Sequence, residues 1–308
     1  MLDAASGSVS IVTAEKRYQA CLEQQYRLAW TLVDRHYMRR DRLRSWEWWE
    51  HRYDGKLSCA ADLEGAVTQM VQSLGDEYTY VRSKNLTCAR KIQEEEHNTV
   101  SHRVLRENIG YLKINSFLSR HVADETAEAL GRLTHVRGLI VDLRGNVGGG
   151  VDEALAVFSL LSEKGRIASF KGWFDGGGFT EDVELSDRAL VSTDNGSLIQ
   201  SPRRPWLFRK KPIVVLVDED TRSAAELLAG ALHDTRGARI VGTRTFGKGL
   251  VQKTWDLPSG ISLKLVIARY YLPSGSCIDG VGLKPDYKAS GDRQVGRALR
   301  LFGKGNSS

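Results

Sequence analysis

The sequence predicts an α/β fold, and three observations carry that prediction. From Ile109 onward, short β-branched and aliphatic runs alternate with stretches of helical period, the pattern of strands interleaved with helices. One of those strands, Gly138-Leu-Ile-Val-Asp-Leu-Arg144, runs straight into the glycine-rich turn Gly145-Asn-Val-Gly-Gly-Gly150 and then a helical segment. Finally, 308 residues with 41% hydrophobic and 27% charged content can bury a real core in one large or two modest domains.

The chain opens on helices. Between Ala14 and Arg39 the apolar residues Tyr18, Leu22, Tyr26, Ala29, Trp30, Val33 and Tyr37 recur at helical spacing, so one face needs a partner, either within the chain or on a second copy. A second helical run, Ala60 to Leu74, presents Leu63, Ala66, Val67, Met70, Val71 and Leu74, and Gly75 is a natural stop. Trp46, Trp48 and Trp49 between them read as helix-packing aromatics rather than a ligand platform. This helical region spans 1–80 and is followed by a charged linker over 81–108.

The core occupies 109–290. Its expected elements are strand Ile109 to Phe117, helix Ala123 to Leu133, strand Gly138 to Leu143, helix Asp152 to Leu161, strand Ile213 to Val217, helix Ala224 to His233 and strand Ala238 to Val241. Two further strands, Leu250 to Leu257 and Ile261 to Tyr271, meet across Pro258-Ser259-Gly260. Residues 164–211 carry Gly176-Gly177-Gly178 and a polar run to Asn195-Gly196, which suggests surface loops or a hairpin. From Gly291 to Ser308 the sequence reads as a flexible tail.

Charge and cysteine usage exclude several classes. The net charge of +6 is mild and not concentrated enough to argue for nucleic acid, so Arg39 to Arg44 and Arg203 to Lys211 read as solvated loops. Cys21, Cys59, Cys88 and Cys277 form no C-x-x-C, which signals neither a zinc knuckle nor a redox pair and is compatible with a reducing compartment. No H-E-x-x-H is present, and no stretch approaches a membrane span. The first twenty residues lack a signal peptide, so the expectation is cytoplasmic, or exported if a leader has been removed.

Chemistry concentrates between Thr221 and Gln252. Ser223 follows an apolar strand and opens an alanine- and leucine-rich helix, which places a hydroxyl at a helix N-terminus beside backbone N–H groups able to bind an oxyanion. Ser223-Ala-Ala-Glu226 equally satisfies the S-x-x-E capping box, so this stretch alone leaves cap and nucleophile both open. Lys248 sits between Gly247 and Gly249, which permit close backbone approach, and as a general base it would need apolar neighbours such as Phe246, Leu250 and Val251. A solvated lysine in a hairpin is the alternative. Gly242 to Lys248 also reads as most of a P-loop, but Gly249 replaces the magnesium-binding Ser/Thr and a strand follows where a helix is required. The glycine turn 145–150 lacks the G-x-G-x-x-G of a dinucleotide site, yet can offer N–H groups to an anion. His233-Asp234 invites a Ser/His/Asp reading, but ten residues of helix put it about 15 Å from Ser223.

Taken together, these motifs resemble the carboxyl-terminal processing (tail-specific) proteases, the S41 family of Ser/Lys peptidases. The residues that carry the resemblance are S-A-x-E at Ser223, T-F-G-K-G with its lysine 25 residues later, Gln252 four further on, D-L-R-G-N-x-G-G at Asp142, L-G-D-x-Y-T at Leu74, and the closing G-x-G-x-x-P-D ending at Asp286. The resemblance implies a spiral ββα core shared with ClpP and crotonase-like proteins, attached to a helical N-terminal region. It implies Ser223 as nucleophile, Lys248 as base, Gln252 orienting the lysine, and an oxyanion hole from Ala224 with Gly148 or Gly149. No cofactor is implied. Members usually carry a PDZ domain where this chain has only 30 residues between Thr79 and Gly110, so that domain is expected to be absent. The family varies over 164–211.

The expected function is therefore a serine endopeptidase acting on flexible or unfolded polypeptides, near their C-termini, with an activator or adaptor and a homodimer through the N-terminal helices as candidate partners. A catalytically silent peptide-binding scaffold and a crotonase-like acyl-CoA enzyme are the alternatives.

Overall fold

The computed structural model describes residues 5–83, 98–195, 197–202, 204–205, 207–208 and 211–303, with side chains from Ala14 onward. The helices are α1 (Ala5–His36), α2 (Glu47–Glu50), α3 (Ala60–Gln72), α4 (Val122–Arg132), α5 (Val151–Leu161), α6 (Ala224–Arg236) and α7 (Arg293–Phe302). The strands are β1 (Tyr80–Arg82), β2 (Val100–Leu105), β3 (Ile109–Ile114), β4 (Gly138–Asp142), β5 (Gly165–Phe174), β6 (Gly177–Leu185) and β7 (Ala189–Asp194). They continue with β8 (Ser197–Pro202), β9 (Ile213–Val217), β10 (Arg239–Gly242), β11 (Leu250–Asp256), β12 (Ser262–Tyr271) and β13 (Tyr287–Lys288). Two compact units result: Met1–Arg90 with Gly172–Gly178 and Val251–Ala268, and Lys91–Lys171 with Phe179–Leu250 and Arg269–Ser308.

In the first unit, α1 and α3 pack together through the apolar stripes read from the sequence. Leu22, Tyr26, Ala29, Val33 and Tyr37 are buried on one helix, and Leu63, Ala66, Val67, Met70 and Val71 on the other. Helix α3 ends at Gln72, two residues before the expected last residue Leu74, and the chain turns at Gly75 with φ +59°. The L-G-D-E-Y-T motif is a hydrogen-bonded turn. Buried Asp76 accepts from the Tyr37 hydroxyl at 2.9 Å, the Thr79 hydroxyl at 3.2 Å and the Tyr78 N–H at 3.1 Å. Thr79 in turn accepts the Val266 N–H on β12, whose residues Lys264 to Ser262 pair antiparallel with β1. Trp46 is buried and stacks on Trp30, as packing predicts, whereas Trp48 is exposed beneath the Arg52 guanidinium.

The second unit holds a six-stranded sheet in the order β13-β10-β9-β4-β3-β2. Strands β3, β4, β9, β10 and β13 are parallel and β2 runs antiparallel to β3. Tyr111 faces Ile140, Ile140 faces Val214 and Val215 faces Ile240. Each new parallel strand joins the same side of the one before it, so the chain winds in one direction, with α4 against α5 and α5 against α6. This is the spiral α/β core of the ClpP and crotonase-like class. Strands β4 and β9 are buried along their whole length, as strands covered on both faces must be.

Three stretches differ from the sequence reading. The tail expected from Gly291 instead forms α7 at 293–302, whose Ala298, Leu299 and Phe302 pack on Ile109, Ile140, Val214, Leu216 and Val241. Its apolar residues recur at 295, 298, 299 and 302, a helical period that a charged, glycine-flanked context hid, and each large side chain so buried contributes about 2 kcal/mol. Gly138 makes room for it, since a Cβ there would lie 2.5 Å from the Phe302 ring. The 164–211 segment, read as surface loops or a hairpin, is more extensively paired than either: β6, β7 and β8 form an antiparallel meander with Val183 opposite Ser192 and Ser192 opposite Ile199. The end of the charged linker is β2, while its 84–97 portion and residues 304–308 of the tail lie outside the described residues. Among the described residues, no helix is long and apolar enough to cross a membrane.

Candidate active site

The site is built on the turn after β9. Apolar Ile213–Val217 brings the chain to the carboxyl end of the sheet, where Thr221 folds it back: its hydroxyl bonds the Leu143 carbonyl at 3.0 Å and accepts the Asp218 N–H at 2.9 Å. Ser223 then adopts φ 53°, ψ −120°, a conformation that L-residues avoid, and α6 begins at the next residue. An ordinary N-cap sits in the extended region, so the serine is held in a strained strand-to-helix elbow rather than a relaxed cap.

Glu226 is what holds it. The carboxylate is fully buried in α6, a helix whose residues from Ala224 to Leu232 are all buried. One oxygen accepts the Ser223 N–H at 2.9 Å and the Lys248 N–H at 2.8 Å; the other accepts the Gly247 N–H at 2.7 Å and the Thr245 hydroxyl. The carboxylate limb of the capping box is therefore present, but it serves the lysine loop as well. Because both main-chain nitrogens bond a single oxygen, those of Ser223 and Lys248 are less than about 6 Å apart. Burial pushes the Glu226 carboxyl above its ordinary range, opposed by the Thr245 hydroxyl and the three backbone donors.

The glycines flanking Lys248 have a steric reason. A Cβ on Gly247 would lie 2.7 Å from the Gly282 nitrogen, and one on Gly249 would lie 2.7 Å from the Asp279 nitrogen. The loop 278–282 thus packs directly on the lysine loop, and the Gly280 N–H bonds the Gly247 carbonyl at 2.8 Å. The Tyr270 N–H bonds the Gly249 carbonyl, and its buried hydroxyl bonds the Ser223 carbonyl at 3.0 Å, joining both loops to β12. The apolar surroundings expected of Lys248 are only partly found. Leu250 is buried, but Phe246 is 43% exposed with the Arg222 guanidinium over its ring, because it faces outward at the end of the turn.

The third element is the glycine turn after β4. Buried Asp142 receives Arg144 through its guanidinium and its N–H, together with the Tyr111 hydroxyl, and these donors hold its carboxyl below the usual range against the opposing effect of burial. Asn146, also fully buried, bonds the Ile114 carbonyl, accepts the Gly148 N–H at 2.9 Å, and offers its own carbonyl to the Arg222 N–H at 2.9 Å. This stitches the glycine turn to the serine elbow. Gly148, at φ +90°, lies so close that a Cβ would sit 2.9 Å from the Ser223 Cβ and 3.2 Å from the Ala224 nitrogen. Gly149 is wedged against the Phe117 carbonyl. With the Gly148 N–H committed to Asn146, the Gly149 and Ala224 N–H groups are the ones without an acceptor among the described residues.

The structure thus brings Ser223, Ala224, Gly148, Gly149 and Lys248 into one cluster within the second unit. Gln252 belongs to the first unit, on β11, where its amide N–H bonds the Tyr78 carbonyl. Glu226, Asn146 and Tyr270 were missed as site residues. Their signals were present in S-A-x-E and D-L-R-G-N, but sequence shows neither the burial of a carboxylate nor which distant N–H groups it collects.

His233 is occupied elsewhere. At the far end of α6 its Nδ1 meets Asp234 at 2.8 Å and its Nε2 meets Asp286 at 3.4 Å, and Asp234 also accepts the Ser274 N–H. Burial lowers the imidazole pKa, but the Asp234 hydrogen bond and the Asp286 and Asp234 charges outweigh it and the net shift is upward. A histidine raised in the folded state stabilises fully below its unfolded value of about 6.5 and loses that contribution as pH rises through the folded value. The melting temperature should therefore fall from pH 6 to pH 8 more steeply in the parent than in His233→Gln, measured by differential scanning calorimetry. Parallel curves would show that the cluster is without effect.

The family model for peptidase family S41 matches residues 108–289, which contain the whole cluster. A carboxy-terminal-processing protease of Bartonella bacilliformis is 32% identical over 247 residues, covering 76% of this chain and 52% of that protein. The carboxyl-terminal-processing peptidase 3 (chloroplastic) of Arabidopsis thaliana is 35% identical over 204 residues, covering 65% and 35%. The chain thus spans about half the length, or less, of these curated relatives. Among solved structures, a photosystem II D1 C-terminal processing protease superposes with a TM-score of 0.67 at 20% identity, over 92% of this chain and 98% of that one. A lipoprotein from Streptococcus agalactiae gives 0.68 at 17%, over 92% and 96%. With the family's own pattern running through the glycine turn, the serine elbow and the lysine loop, the chain belongs to peptidase family S41.

Proposed function

We propose that the chain is a serine peptidase that cleaves flexible polypeptides near their C-termini by a Ser223/Lys248 dyad. The observation that carries this reading is the buried Glu226 carboxylate, which collects the main-chain N–H groups of both residues while Ser223 is held in a strained backbone conformation. Cleavage near C-termini is taken from the names of the relatives.

The uncharged Lys248 amine takes the proton as Ser223 Oγ bonds the peptide carbonyl carbon. The oxyanion that forms is met by the N–H groups of Ala224 and Gly149, with the Gly148 N–H already engaged. Collapse breaks the C–N bond, and the lysine ammonium returns its proton to the leaving amine. Water, deprotonated by the same amine, then releases the acyl group from Ser223. The strand-lined elbow suits an extended chain, and no cofactor enters any step.

The test is incubation of the chain with an unstructured peptide ending in apolar residues, followed by mass spectrometry. The parent should release fragments, and Lys248→Ala should show no cleavage above background. Cleavage retained by Lys248→Ala would end the dyad reading. Binding of coenzyme A without peptide cleavage would favour the acyl-CoA alternative instead.

A further inference from the structure

In the second unit, a groove of about 710 Å³ is lined, among the described residues, by six cations and no carboxylate. Arg293, Arg297 and Arg300 form one wall, spaced so that they share a face of α7; Arg244, Lys284 and Lys288 line the rest. A mildly basic protein does not gather six like charges in one concavity without cost, because each repels the others. Two neighbouring carboxylates are engaged elsewhere. Asp286 is engaged by His233 and the Ile240 N–H, and Glu219 by the Thr243 hydroxyl. Among the described residues, the partners of three of the cations are neutral: Arg293 reaches the Ser290 hydroxyl, Arg244 the Val281 carbonyl, and Arg297 the face of Tyr287. Arg293 opens α7, whose N-cap is Asp292 and whose first turn contains no acidic residue.

We propose that this groove is a docking site for an acidic, extended segment of a polypeptide. Its concave form and the absence of an exposed apolar side chain among its lining residues argue against a flat bilayer, which binds through insertion as well as charge. Single-stranded nucleic acid needs aromatic faces for its bases, and the aromatic ring beside this groove, Tyr287, is half-buried with a guanidinium already over it. The groove is bordered by β13, the edge strand of the six-stranded sheet, which supplies Lys288. An extended chain can follow such an edge while its carboxylates meet the arginine row. The site goes beyond the peptidase reading, which it would complement by retaining substrates or adaptors that carry runs of Asp and Glu.

The test measures binding of a fluorescein-labelled oligoglutamate peptide to the full chain carrying Ser223→Ala, so that the result does not depend on cleavage. Saturable binding is expected, weakening as salt rises from about 50 to 200 mM. It should fall at least about tenfold in Arg293→Gln/Arg297→Gln/Arg300→Gln, a loss of about 1.4 kcal/mol. Should that variant melt early, Arg244→Gln/Lys284→Gln/Lys288→Gln on the opposite wall provides the same reading. Absence of binding to the parent, equal binding by a folded variant, or tighter binding of duplex DNA or phosphatidylserine vesicles than of the peptide would overturn the proposal. With the catalytic serine restored, groove variants should still cleave a neutral peptide, so failure of docking and failure of the peptidase reading are distinguishable.

Discussion

Ser223→Ala is expected to lower the cleavage rate of an unstructured peptide by about 10,000-fold or more, since removal of a nucleophile leaves only the binding and oxyanion contributions. The same variant should change unfolding free energy by no more than about 1 kcal/mol, the size of a lost helix cap. The backbone makes a sharper forecast. Because Ser223 holds φ 53° and ψ −120°, a region that only glycine enters without strain, Ser223→Gly should be equally inactive yet more stable than the parent by about 1 kcal/mol. A protein that gains stability when its serine is deleted keeps that serine for chemistry. If Ser223→Gly instead melts earlier than Ser223→Ala, the strain is not stored at this residue and the elbow is only a helix start. Rates by mass spectrometry and melting by calorimetry on the same preparations would decide.

Glu226→Ala is expected to be the most damaging single change outside the nucleophile. It would leave the N–H groups of Ser223, Gly247 and Lys248 and the Thr245 hydroxyl inside the protein without their acceptor. Each unsatisfied donor costs roughly 1–3 kcal/mol before relaxation, so a net loss of about 4 kcal/mol and a melting temperature lower by about 10 °C are expected. Glu226→Gln preserves volume but offers one acceptor oxygen where two are needed, and turns its amide hydrogens against backbone N–H groups. It should retain the fold and lose most activity, because the serine elbow and the lysine loop would no longer share a common anchor. Glu226 touches no substrate in this account; it is a positioning residue. The readout that distinguishes it is kcat at a temperature where Glu226→Gln is still folded. An unchanged kcat there would reduce Glu226 to a contributor to stability.

Much of this was legible before the structure. The core elements from Ile109 to Tyr271 fall within a few residues of their expected bounds, because uninterrupted apolar runs such as Ile213–Val217 have no competing period. Ser223 and Lys248 could be singled out because the serine follows such a run and the lysine is bracketed by glycines. Other features were closed to inspection. Helix α7 has only three buried apolar side chains spread among three arginines, so composition hid its amphipathic face. The β6–β8 meander is built from strands with few buried positions, β8 being exposed along its whole length, and is held by backbone pairing rather than by an apolar stripe. The proposed oxyanion donor could not be chosen between Gly148 and Gly149 from sequence, because only the fold shows that Asn146 accepts the Gly148 N–H.

The helical unit is not one continuous piece of chain: Met1–Arg90 is completed by Gly172–Gly178 and by Val251–Ala268. During synthesis, α1 and α3 therefore emerge and can pair with each other long before the Val266 amide that Thr79 receives, and β1 waits for its partner strand β12 throughout translation of the intervening segment. A nascent chain of this kind is exposed to aggregation until its last third is made, and fragments ending before Val251 should be recovered as insoluble material rather than as a stable helical subdomain.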